Sequence, residues 1–175
     1  NNAYTDVKLA YIYDGKNSPE RWGFARWLPH VWSEDKKVRY VASNKEEASD
    51  VLYELVKIFR MRSEEEKQNK GELPKPYYIL FVADALMLEG ELITKYVYEG
   101  QEKVGLTTVI MTESYEQLPN LCEYVIQNDE TFTGCYPLPG SGRCPVRFDQ
   151  VSDSAMERMA RGLSGVEVKE VEKGG

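Results

Sequence analysis

Histidine and cysteine are scarce in this 175-residue chain: one histidine, His30, and three cysteines, Cys122, Cys135 and Cys144, with no C-x-x-C pair among them. That scarcity argues against a zinc site, whose ligands are drawn from clustered Cys and His. An odd number of unpatterned cysteines fits a reducing, cytosolic setting better than a disulfide scaffold. No apolar run approaches the roughly 20 residues needed to cross a bilayer, and no signal peptide is visible. There is no run of Lys or Arg, and the net charge is −7. The basic stripe of a general nucleic-acid binder is therefore missing, because phosphate neutralisation requires one. Internal repeats and low-complexity tracts are absent as well.

What is present is ordinary for a globular domain: 42% hydrophobic and 29% charged residues. A single domain of this length buries about 70% of its unfolded surface. The whole chain, 1–175, is expected to be one domain. Residues 1–3 read as a cloning remnant and residues 172–175 as the start of a linker, so the chain is expected to be a piece of something longer.

Strand-like and helix-like segments alternate. Val7–Tyr13 places Val7, Leu9, Tyr11 and Tyr13 on one face and stops at the turn signal Asp14-Gly15. Val38–Ala42 is a second expected strand, followed by Ser43 and Glu46 spaced as a capping box. Ala48, Val51, Leu52, Leu55, Val56 and Phe59 then form one helical stripe, and Arg60 to Lys70 reads as its solvated, charged tail. Tyr77–Val82 is apolar on both faces, which predicts a central strand covered on both sides, flanked by Leu106–Thr112 and by Val7–Tyr13 or Val38–Val41. Leu86–Tyr98 carries Leu88, Leu92, Ile93, Tyr96 and Val97 at helical spacing. Glu123–Gln127 is a further strand, and Thr131–Leu138 with Val146–Val151 predicts a β-hairpin around Pro139–Arg143. A last helix, Asp153–Leu163, is expected to turn Ala155, Met156, Met159, Ala160 and Leu163 inward. Together these predict an α/β fold in three layers: a mostly parallel central sheet with helices on both faces, then a C-terminal β-hairpin and helix.

Three features bear on chemistry. The phosphate-cradling loop G-x-x-x-x-G-K-[ST] is absent, and Gly140-Ser141-Gly142-Arg143 lies at a hairpin tip, where a turn is the better reading. Asp84 ends the strand Tyr77–Val82, where ATPases hold magnesium, but Ala85 follows where a catalytic glutamate usually stands; such an aspartate also commonly caps the next helix. Glu113 would stand beside Asp84 if the strand before it ends on the same sheet edge, and two carboxylates there are capable of acid–base work, though no nucleophile supports it. The third feature is the concentration of Trp22, Arg26, Trp27, His30 and Trp32 in one connection. It reads either as a mini-core under a long loop or as a docking surface, since Trp and Arg are over-represented at interface hot spots.

With these pieces in place the order of signals resembles the FtsK/SpoIIIE-type ATPase modules. It is most similar to the first, degenerate module of EssC-type motor proteins of bacterial type VII secretion. The residues that carry the likeness are Val7–Tyr13 with Asp14-Gly15-Lys16, Leu28-Pro29-His30, Val38–Ala42, the helix reaching Arg60 and Arg62, Leu73-Pro74 before Tyr77–Asp84, and Gly105 to Glu113. The stretches DVKLAYIYD and RWLPHVWSEDKKVRYVA fit the EssC type specifically.

The resemblance implies a P-loop NTPase fold of the RecA/FtsK kind lacking its phosphate loop, which would lie before Tyr4. Asp84 would be a degenerate magnesium-site residue. Glu113 would be a degenerate sensor, an anion costing about 1 kcal/mol or more by repulsion beside a phosphate. The implied role is non-catalytic, with no metal and no cofactor in this fragment, while ATP and magnesium serve downstream modules. The implied partners are neighbouring ATPase modules and other secretion subunits at the cytoplasmic face of the bacterial plasma membrane. Nucleic acid is not expected, and the membrane is met only through transmembrane segments of the parent. The alternatives are a nucleotide-binding, DNA-translocase-type domain whose phosphate loop lies upstream, and a free-standing α/β small-molecule binder.

Overall fold

The computed structural model describes residues 5–16, 22–65, 73–112, 114–120, 122–128, 130–138, 142–147 and 152–164. The expected end segments 1–3 and 172–175, Glu113 and the hairpin tip Pro139–Ser141 lie outside those residues.

Four parallel strands form the main sheet: β1 (Val7–Ile12), β2 (Val41–Ala42), β3 (Tyr77–Val82) and β4 (Leu106–Ile110), in the order β2-β1-β3-β4. The strand apolar on both faces is internal, between β1 and β4, as its composition predicts. Ala10, Ile12, Tyr78, Leu80 and Val82 turn one face toward α1 (Lys45–Glu65), α2 (Thr94–Tyr98) and α3 (Gln101–Val104), where Leu52, Leu55, Phe59, Tyr96 and Val104 complete the main core. Leu9, Tyr11, Val41 and Phe81 turn the other face toward 3-10 turns at Gly23–Trp27 and Pro29–Val31. Helices thus cover both faces but differ in kind. Pro29 stands at the head of the second turn, where its missing N–H costs no helical hydrogen bond.

Several local expectations shift. The second strand shortens to Val41–Ala42. The segment expected as one helix over Leu86–Tyr98 breaks into a 3-10 turn, Ala85–Leu88, and the short α2, because Gly90 between them takes φ 75°. Leu92 is left exposed. The cap of α1 moves by one residue: Asn44 Oδ1 accepts from Glu47 N at 2.8 Å, and Glu47 Oε2 accepts from Ser43 N at 2.9 Å.

The charged end of α1 is not wholly solvated. Arg62 is buried, donating from Nη1 to Val104 O at 2.9 Å and from Nη2 to Pro76 O at 2.8 Å, with its Cζ 5.1 Å from the Tyr78 ring centre. Gly105 makes room for it. It ends α3 at φ 68°, and a Cβ there would lie 3.1 Å from Arg62 Nη1.

The strand after β4 does not join the main sheet. β5 (Tyr124–Asn128), β6 (Thr133–Pro137) and β7 (Cys144–Pro145) make a separate antiparallel sheet in that order. The last helix, α4 (Asp153–Leu163), is capped by Ser152 and packs on the 3-10 turn Gly23–Trp27. Of its expected inward residues Ala160 is buried, while Met159 and Leu163 face outward.

Candidate functional site

Parallel register brings the carboxyl ends of β1, β3 and β4 to one edge: Ile12 stands beside Val82, and Val82 beside Ile110. Asp14, Asp84 and Thr112 each follow two residues beyond. The chain leaves β1 toward the 3-10 turns on one face, and leaves β2 and β3 toward the α-helices on the other. The connections therefore diverge between β1 and β3, the place where open α/β sheets bind ligands.

The polar groups at this edge are engaged by nearby atoms of the chain itself. Asp84 Oδ1 accepts from Leu86 N at 2.9 Å, so the carboxylate caps the turn Ala85–Leu88. Asp14 Oδ1 accepts from Lys16 N at 2.9 Å, and Thr112 Oγ1 donates to Ser114 O at 2.9 Å. The N terminus of α1, the long helix that starts at this edge, is closed by Asn44 and by the carboxylate of Glu47, which also accepts from Ser43 Oγ at 3.1 Å. Lys45 Nζ donates to the carbonyls of Met87 at 2.8 Å and Glu89 at 3.0 Å and pairs with Glu91 at 3.2 Å. Lys45 was not singled out from the sequence. Its neighbours are 42 and more residues away, and nothing local signals them.

The Trp-rich connection divides its residues among three tasks. Trp22 lies with Phe24 against Tyr11, ring centres 6.3 and 6.0 Å from it, and Tyr11 stacks on Phe81 at 4.8 Å. Burial pushes the Tyr11 phenol up to about 12. Trp27 donates from Nε1 to Glu157 Oε1 at 2.7 Å, and the Arg161 guanidinium lies 4.1 Å from its ring centre. Trp32 bridges to Arg39, whose Cζ is 5.8 Å from the indole. Arg26 is exposed and donates from Nε to Gly23 O at 3.0 Å, and His30 sits half-buried in the turn Pro29–Val31. The three indoles are likewise half-buried. The connection is thus a mini-core on the sheet and also the platform for α4.

At the opposite end of α1 a cavity of about 820 Å³ is lined by Tyr40, Tyr78, Arg62, Lys57 and Glu54 among others. Burial lowers the Arg62 pKa and raises those of Tyr40 and Tyr78. Cations and carboxylates mix in its wall, so it offers no net field for a charged ligand. Among the described residues no group of three or more His, Cys, Asp or Glu is arranged to hold a metal ion, and no helix is long and apolar enough to cross a membrane.

No family model matches the chain. Comparison with individual proteins does find relatives. The chain is 22% identical over 164 residues, 93% of its length, to the ESX secretion system protein EccC of Geobacillus thermodenitrificans. It is 21% identical over 166 residues, also 93% of its length, to the ESX secretion system protein YukB of Bacillus subtilis. This chain is homologous to one segment of the type VII secretion proteins. Over 71% of its length it is also 20% identical to the type VII secretion system protein EssC of Staphylococcus aureus. It spans 11% of the length of the first two proteins and 9% of the third. The EssC-type likeness of the chain as a whole is borne out by these relatives.

Proposed function

We propose that this chain is an ATPase-like module of FtsK type without catalysis of its own, within a type VII secretion protein. It acts by contacts with neighbouring modules and other secretion subunits at the cytoplasmic face of the plasma membrane. The observation that supports this reading is the saturation of the carboxyl edge by the chain's own groups. A triphosphate site needs converging N–H groups at a helix N terminus, a lysine and a magnesium ligand. Here the N terminus of α1 holds the Glu47 carboxylate, Lys45 holds three oxygens, and Asp84 caps a turn. A nucleotide would have to displace each of these while bringing its own negative charge beside Glu47.

Calorimetry with Mg-ATP at millimolar concentration, on the wild type and on Asp84→Ala, tests the reading. No saturable heat is expected from either. Saturable binding tighter than about 100 µM, lost in Asp84→Ala, would overturn it in favour of a nucleotide-binding domain completed by an upstream phosphate loop.

A further inference from the structure

β6 and β7 set Cys135 directly opposite Cys144, with Gly134 opposite Pro145. Val146 N donates to Thr133 O at 3.1 Å, which makes Thr133 and Val146 a hydrogen-bonded pair. Alternation then leaves Gly134 and Pro145 as a pair that exchanges no hydrogen bonds, so the missing N–H of proline is no loss there, and it puts the two cysteines at the next hydrogen-bonded pair. Residues opposed in this way share one face of the sheet, with Cα atoms about 5.5 Å apart, inside the range of about 4.4–6.8 Å that disulfides span. Their Cβ atoms, about 5.5 Å apart in such a pair, must draw in to about 4.5 Å for the bond, which leaves it strained and readily reduced.

The register does not depend on the thiols. Any side chain at Gly134 would run into Cys144 O and the Phe132 ring. Arg143, opposite Tyr136, places its Cζ 4.9 Å from the Tyr136 ring centre and 5.1 Å from that of Phe132. Both thiols are free, with Cys144 exposed and Cys135 half-buried. The third, Cys122, precedes β5 and lies outside the hairpin, and burial raises its pKa.

We propose that Cys135 and Cys144 form a thiol–disulfide switch that is oxidised by low-molecular-weight disulfides. The exposed Cys144 thiolate attacks one sulfur of a small disulfide RSSR, forming a mixed disulfide and expelling RS⁻. The Cys135 thiolate then attacks the Cys144 sulfur, forming the bond between Cys135 and Cys144 and expelling the second RS⁻. The two protons lost by the cysteines go to the two RS⁻, so RSSR is reduced to two RSH as the pair is oxidised. The second step is intramolecular between opposed residues, so the mixed disulfide does not accumulate. Oxidation ties the two-residue strand β7 covalently to β6 and locks that border of the second sheet.

The full 175-residue chain, incubated with oxidised glutathione, is followed by thiol counting, intact mass and disulfide mapping. The titratable thiols are expected to fall from three to one, with loss of two hydrogens, no retained glutathione and a mapped link between Cys135 and Cys144. Dithiothreitol restores all three. Cys135→Ser is expected to trap glutathione on Cys144, whereas Cys122→Ser leaves the oxidation unchanged. A glutathione adduct that persists on the wild type, a link through Cys122, a covalent dimer or no loss of thiols would overturn the proposal.

Discussion

The Trp27 indole donates to the Glu157 carboxylate at 2.7 Å, joining positions 130 residues apart. Arg161 completes the contact, its Nε 3.0 Å from the same carboxylate oxygen and its guanidinium over the indole. This is the polar clamp between the last helix and the platform on the parallel sheet. Glu157→Ala is expected to weaken docking of α4 by about 1–2 kcal/mol, read as roughly tenfold less amide protection along 155–163 in hydrogen exchange. Glu157→Gln, which keeps an acceptor, should lose less. Unchanged protection in Glu157→Ala would mean that Ala160 packing alone holds the helix.

Arg62 ties α1 to the strands on either side of the sheet's entrance through the carbonyls of Pro76 and Val104. Arg62→Met keeps the length of the side chain but strands both carbonyls, and a loss of about 2–4 kcal/mol in urea unfolding is expected. Arg60→Met, one turn face away and exposed, should stay within about 0.5 kcal/mol of wild type. Equal effects from the two would refute a special role for the buried guanidinium.

Alkaline pH should unfold this domain through its buried phenols. Burial holds Tyr11 up to about 12 and raises Tyr78 and Tyr40 in the same direction. A folded pKa above the unfolded one contributes stability that is fully present below about pH 10 and is lost as pH rises toward about 12. For Tyr11 alone the two-unit shift corresponds to about 3 kcal/mol. Lys8 and Arg62, whose pKa values burial lowers, act with the opposite sign below their ordinary values of 10.5 and 12.5, two groups against four phenols once Tyr98, also raised by burial, is included. Urea midpoints should therefore fall steeply from pH 10 to 12, and Tyr11→Phe should flatten that fall. A midpoint that does not move over this range would contradict the burial of these rings.

Asp84→Ala removes the side-chain cap of the turn Ala85–Leu88. About 1 kcal/mol of stability should be lost, and Asp84→Asn should recover most of it. An increase in stability on substitution would instead mark a strained carboxylate kept for some other purpose.

Much of this architecture was legible in residue order. The two-sided apolarity of Tyr77–Val82 predicts an internal strand, the stripe from Ala48 to Phe59 predicts α1, and both stand where expected. Such patterns are local: burial on one face or two repeats every two or 3.6 residues, and the repeat can be read without knowing what does the burying. The capping role of Asp84 was legible too, because a strand-ending aspartate that caps a turn is a short-range event.

What only the tertiary structure decided is which distant groups meet. Lys45 finds carbonyls beyond β3, Arg62 is drawn inward by Pro76 and Val104, and Trp27 finds Glu157. Glu123–Gln127 looked like one more strand of the alternating series, yet it pairs with β6 in a sheet of its own. A strand's sequence specifies its pleat and its apolar face but not its neighbour, since backbone N–H and C=O groups are the same in every strand. The neighbour is set by which edge is within reach once the rest of the chain has packed, and that is a property of the whole fold.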